Sequence, residues 1–240
     1  MRALDTLHYL PKQYVGVLLF HSDIERNEVE ELFAYFTGDI LQLPPVRSAV
    51  KREVRVRKVH LLEVLEVQGR RVLFRTQCQA GTYIRTLCTD IGRARCSGAQ
   101  MEELRRTVSG PFDERSAVTL QALEDALFYW KEGKREQLLS MLHPVEELLL
   151  SFPRIVVKDS AVDSICHGAD LKVRGIASIQ GRIRRGDVVA LMTARGEGVA
   201  IASALMSSEQ MKNSASGVAS DTLRVFMKTG AYPRYVKSGH

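Results

Sequence analysis

A chain of 240 residues, 45% hydrophobic and 26% charged, has the balance of a soluble globular protein, with room for one large domain or a medium one plus a small one. No apolar run approaches the roughly 18 residues that a membrane-crossing helix needs, and the opening MRALDTLHYL lacks the basic, apolar, small order of a secretory leader. The net charge of +6 lies wholly in the C-terminal part: residues 1–149 hold 21 Lys and Arg against 21 Asp and Glu, and residues 150–240 hold 13 against 7. A compact basic tail fits a polyanion, and it fits equally a surface kept charged for solubility.

Taken in chain order, Gln13–Phe20 is a β-branched and aliphatic run of strand length. Asn27–Phe36 spaces Val29, Leu32, Phe33 and Phe36 for a helix, with Gly38 as its stop. From Leu41 to Lys51 the Pro44-Pro45 pair predicts an extended loop. Strands follow near Val54–Val67 and Val72–Gln79, with Gln68-Gly69-Arg70 as the hairpin turn. Tyr83–Arg95 reads as a helix, Glu102–Val108 as a strand, and Val118–Phe128 and Glu136–Leu150 as helices. Phe152-Pro153 breaks the pattern where the charge balance changes, which places a domain boundary there. Beyond it Ser160–Cys166 is helical, and Asp187–Met192, Val199–Leu205 and Thr222–Met227 are short strands separated by glycine turns, as in a small barrel or sandwich. Cys78, Cys88, Cys96 and Cys166 show neither C-x-x-C spacing nor histidine partners, so reduced thiols and no metal site are expected.

Three blocks can carry chemistry. In Gly81-Thr82-Tyr83-Ile84-Arg85-Thr86-Leu87 a strand runs through glycine into a helix whose first turn holds an aromatic and an arginine. A helix N-terminus welcomes a carboxylate or phosphate, and Arg85 can pair with either; an ordinary helix with a structural ion pair fits as well. Between Arg47 and Lys58 stand Lys51, Arg52, Arg55 and Arg57, with Glu53 the only acid. A proline-stiffened basic loop can track a phosphate backbone, and the same alternation can be the wet face of an edge strand. Tyr14, at the head of the first strand, can stack on a displaced base or fill the sheet surface.

Together FTGDILQLPPVRSAVKREVRVRKV, CQAGTYIRTLCTDIG and AQMEELRRTVSGPF, in that order, resemble the dyskerin-type pseudouridine synthases, relatives of the bacterial TruB-type enzymes. The tail, VVKDSAVDSICHGADLKVRGI with IRRGDVVALMT and YPRYV, is similar to the PUA domain of that family. The resemblance covers about residues 10 to 236 and implies an α+β architecture. Residues 1–150 would be the C-terminal part of a catalytic domain with a mixed, mainly antiparallel sheet, and residues 151–236 a small β-barrel-like PUA domain. It implies a uridine flipped out of RNA, its glycosidic bond cut and the base rejoined through carbon, with an aspartate doing the covalent step and no cofactor. Carried over by motif, Tyr14 would stack on the target base, Tyr83 and Leu104 would line its pocket, and Arg85 would pair with the aspartate. Arg47, Lys51, Arg52, Arg55, Arg57 and Lys58 would grip RNA, as would Gly168, Arg184 and Arg185 in the tail. The implied partners are guide RNA, substrate RNA (rRNA or tRNA) and the small core proteins of an H/ACA ribonucleoprotein, with no membrane.

The family's aspartate motif, G-H-x-G-T-L-D-P, does not occur in these residues. Asp5 lies only nine residues before Tyr14 in a helical-looking stretch, and Asp23, Asp39 and Asp90 follow the first strand. A catalytic domain without its first strands is therefore expected, with an exposed sheet edge, an apolar face, poor solubility and little activity on its own. An inactive RNA-binding fragment and a stand-alone tRNA enzyme are the competing readings. The absence of a Lys-rich tail favours an archaeal, cytoplasmic protein over a nucleolar one.

Overall fold

The computed structural model describes residues 4–45 and 51–233. The chain divides into two compact units, one of residues 8–117 and one of 118–233 joined by 4–7, where the short helix α1 (Leu4–Leu7) lies.

The first unit is built on one sheet. Its strands are β1 (Lys12–Phe20), β2 (Gly38–Gln42), β3 (Arg55–Gln68), β4 (Arg71–Cys78), β5 (Ala99–Ser109) and the two-residue β6 (Phe112–Asp113). Helix α2 (Arg26–Tyr35) follows β1, and α3 (Ile84–Ala94) joins β4 to β5. The strand order is β2-β3-β4-β1-β5-β6, and every pairing is antiparallel. Period-2 alternation puts Leu18 and Phe20 of β1 and Val72 and Phe74 of β4 on one face, each at most 1% exposed. Val29 and Phe33 of α2 and Ile84, Leu87, Cys88 and Ile91 of α3 recur at helical spacing and cover that face. Phe33 meets Phe74 edge to face at 6.2 Å. Arg95, just past α3, ties the helix end to the β1–α2 connection through Glu28 (2.6 Å), Ser22 Oγ (2.8 Å) and the Asp23 carbonyl (2.7 Å).

The opposite face keeps Val15, Val17 and Leu73 partly exposed. Charged pairs surround them, Arg75 with Glu63 and Arg71 with Glu102, each at 2.8 Å. The β5 edge is charged as well, since residues 102–106 are exposed and Arg105 pairs with Glu114.

The second unit opens with α4 (Leu120–Lys131), α5 (Glu136–Met141) and α6 (Val145–Leu149). The single helix expected over Glu136–Leu150 is thus two, because Pro144 cannot donate into a continuous helical ladder. There follow β7 (Arg154–Val157), α7 (Asp159–Cys166), β8 (Leu171–Lys172), β9 (Ile176–Gln180), β10 (Val188–Met192), β11 (Gly198–Ala204), α8 (Ser208–Asn213) and β12 (Val218–Val225). The sheet order is β8-β12-β11-β10-β7-β9, with β7 and β10 parallel. Its core gathers Ile155, Val162, Ile165, Leu171, Leu191 and Val199, none more than 1% exposed.

Five further elements differ from expectation. The stretch after Gly38 is strand β2 before it becomes loop, since pairing with β3 outweighs its weak local pattern. β8 and β9 are too short to show periodicity. α8 is set by a capping box between Ser207 and Gln210. The last strand begins at Val218, drawn earlier by its pairing with β8.

Candidate RNA-modification site

Tyr14 and Arg106 lie towards one end of the first sheet, and Leu104 lies at mid-strand beside them. In the β1–β5 ladder Tyr14 faces Arg106 and Gly16 faces Leu104, so Tyr14, Leu104 and Arg106 share the side of the sheet that α2 and α3 cover. Gly16 is required there by close approach: a Cβ would stand 2.8 Å from the Glu103 carbonyl and 3.0 Å from Leu104 Cδ1. Any side chain at 16 would displace Leu104.

Lys12, two residues before Tyr14, pairs with Cys78 at the end of β4. The chain then turns through Gly81, whose φ of +81° is the left-handed conformation that favours glycine, and enters α3 at Tyr83. Tyr83 is half-buried and Arg85 is exposed on the first turn. No acidic residue stands in that turn, and among the described residues no carboxylate pairs with Arg85. The helix thus offers its free N–H groups and a guanidinium on the same turn, an arrangement suited to an anion.

Burial raises the Tyr14 hydroxyl above its ordinary pKa, and the neighbouring Arg106 opposes the shift. Burial, then the charge of Arg106, lowers Lys12. Cys78 is pushed up to about 11 by burial, so it remains a neutral thiol at the floor of this region. The described residues contain no group of three or more His, Cys, Asp and Glu that could hold a metal.

The basic loop is described from Lys51 on; Val46–Val50, and so Arg47, lie outside the described residues. Lys51 pairs with Glu53, and Arg55 donates to the Lys51 carbonyl at 3.3 Å. Arg57 turns onto the protein and donates to the Gly81 carbonyl at 3.2 Å. Arg52 and Lys58 are exposed. In the second unit Gly168 takes φ +87° just past α7, where it closes the helix by donating to Ile165. Arg184 and Arg185 are exposed on a turn that Asp187 holds by accepting from the Arg184 N–H at 2.7 Å.

Sequence reasoning missed Arg106 and Gln42. Gln42 ends β2 at 3% exposure, and both polar atoms of its side chain bond the backbone of Tyr83. The signal was a lone glutamine before Pro-Pro, which carries no periodicity. Tyr232 was also unassigned: it is 8% exposed, and its hydroxyl donates to Glu197, which also accepts from Thr193 at 2.8 Å.

Comparison with known proteins gives consistent matches along the chain. The model of the TruB family pseudouridylate synthase N-terminal domain matches residues 14–84, that of the tRNA pseudouridylate synthase B C-terminal domain residues 85–150, and the PUA domain residues 153–226. Probable tRNA pseudouridine synthase B of Methanocaldococcus jannaschii is 49% identical over 98% of this chain and 71% of its own length. The Methanopyrus kandleri protein of the same name is 47% identical over 97% and 69%. Among solved structures, the Cbf5–Nop10–Gar1 complex contains a chain 44% identical with a TM-score of 0.91, covering 98% of this chain and 72% of that one. An H/ACA ribonucleoprotein bound to a substrate RNA containing 2′-deoxyuridine gives 42% and 0.83, over 97% and 71%.

Proposed function

The chain belongs to the TruB family of pseudouridylate synthases and carries a PUA domain over residues 153–226, and on that premise we propose that it converts uridine to pseudouridine in RNA selected by an H/ACA guide. The observation that carries the reading is the sheet face that holds Tyr14, Leu104 and Arg106, with a helix N-terminus bearing Arg85 entered from the end of the adjoining strand β4. A flipped uridine needs an aromatic and apolar seat, and the break of its glycosidic bond needs an ionised carboxylate held in place. Tyr14, Tyr83 and Leu104 supply the seat. Arg85 is the cation that keeps an aspartate ionised and oriented. The reading requires such an aspartate, and among the described residues no carboxylate pairs with Arg85.

Guided modification is favoured by the likeness, over nearly the whole chain, to Cbf5 in complexes with Nop10, Gar1 and H/ACA RNA. Proteins of that kind, together with guide and substrate RNA, are the proposed partners, and an archaeal cytoplasm the proposed setting. The relatives' name, tRNA pseudouridine synthase B, favours a second reading in which tRNA is modified without a guide.

The test is turnover of a uridine-containing RNA by the protein, with and without guide RNA. Arg85→Ala is expected to lower turnover on the order of a hundredfold or more, since a misplaced reacting group costs that much, while RNA affinity stays within a few-fold. Near-normal turnover removes Arg85 from this role. Equal rates without guide on tRNA favour the second reading, and binding without turnover leaves an RNA-binding module.

A further inference from the structure

Gln42 and Arg57 reach from the two strands flanking the basic loop onto the same short turn. Gln42 is the last residue of β2; its Nε2 donates to the Tyr83 carbonyl at 3.2 Å and its Oε1 accepts from the Tyr83 N–H at 3.0 Å. Arg57, near the start of β3, donates from Nε to the Gly81 carbonyl at 3.2 Å, its guanidinium lying over the glycine. In the β2–β3 ladder Gln42 faces Arg55 and Ile40 faces Arg57, so both residues belong to the last rungs before the loop.

Tyr83 is the N-cap residue of α3, and its side chain makes no capping bond. In a capping box the N-cap's own N–H is satisfied from within the helix, by the side chain of the third residue. Here the partner comes from a strand 41 residues away in sequence. Gln42 is 3% exposed, and losing its amide leaves the Tyr83 N–H without that acceptor, while the Tyr83 carbonyl still accepts from the Leu87 N–H at 3.0 Å. The start of the helix that carries Arg85 is therefore held by the base of the basic hairpin rather than by its own sequence.

We propose that Gln42 and Arg57 are positioning residues that latch the Gly81–Tyr83 turn and make a polyanion bound on residues 51–58 felt at the first turn of α3. The latch stands on the hydrogen bonds alone; the coupling rests on the RNA reading given above.

Hydrogen exchange on the full chain, with and without a synthetic RNA stem-loop, separates the two. Gln42→Met keeps the volume and removes both hydrogen bonds. It is expected to speed exchange of the hydrogen-bonded Tyr83 and Leu87 amides at least tenfold while those of β1 and β4 hold. Gln42→Glu, which retains the acceptor for the Tyr83 N–H, is expected to restore most of the protection. RNA is expected to slow exchange at both 51–58 and 83–87 in the wild type, and at 51–58 alone in Gln42→Met. Unchanged exchange at 83–87 without RNA overturns the latch, and an undiminished RNA response there in the variant overturns the coupling. RNA without effect anywhere in the wild type sinks the RNA reading and the coupling with it, and the ligand-free exchange still decides the latch. Should Gln42→Met lose protection throughout the sheet, Arg57→Met, at a half-exposed position, carries the test: faster exchange at 81–83 supports the latch, and none opposes it.

Discussion

The two sheets bury their strands differently. In the second unit β10 and β11 are buried on almost every residue, the pattern of strands covered on both faces. In the first unit β1 and β4 alternate buried and part-exposed residues, and β5 is open along most of its length. One sheet is a closed core that displays its turns. The other has one face packed by two helices and one left to charged pairs around Val15, Val17 and Leu73. The candidate site lies towards one end of the half-packed sheet, where strand ends and a helix N-terminus leave backbone groups and cations available.

The comparison can be broken most forcefully in the cores. Leu191→Ala in the second unit, at 0% exposure, is expected to cost about 2–5 kcal/mol by cavity formation. Val17→Ala on the open face should cost less than about 1 kcal/mol, because its side chain is already part-solvated. Denaturant melts of both variants check this, and equal losses would show that the open face is as well packed as the closed core.

A smaller effect comes from titration. Cys78 and Cys88, both 1% exposed, lie on the packed face of the first sheet, their thiols raised by burial to about 11 and about 12 from an ordinary value near 9. In the unfolded chain they ionise earlier, so the stability they contribute is full below pH 9 and drains away between pH 9 and 12. The loss is up to about 1.4 kcal/mol per thiol per pH unit in that window. A Cys78→Ala, Cys88→Ala double variant is expected to flatten the alkaline fall of the melting temperature. An unchanged slope would place those thiols in contact with water.

The smallest effect belongs to the open face. Arg71→Ala removes the pair with Glu102, whose side chains are 60% and 31% exposed, and should leave the melting temperature within measurement error. A clear drop would mean that the charged ladder supports the sheet.

The sequence by itself determined the elements with strong periodicity and the residues with unusual chemistry. Gln13–Phe20 announces a strand by its dense β-branched and aliphatic run, and Leu87 and Ile91 announce a buried face by helical spacing, because burial imposes that period locally. Gly81, Tyr83 and Arg85 stand out because glycine, aromatic and arginine at a strand-to-helix junction is an informative local pattern. Only the tertiary structure decided that β2 is a strand, that Pro144 splits a helix pair, that Arg106 stands across from Tyr14, and that Arg57 turns onto Gly81. It also decided that the cap of α3 comes from Gln42. Partners 41 residues apart leave no periodic trace, since a buried amide is chosen by the backbone it meets and not by its neighbours in the chain.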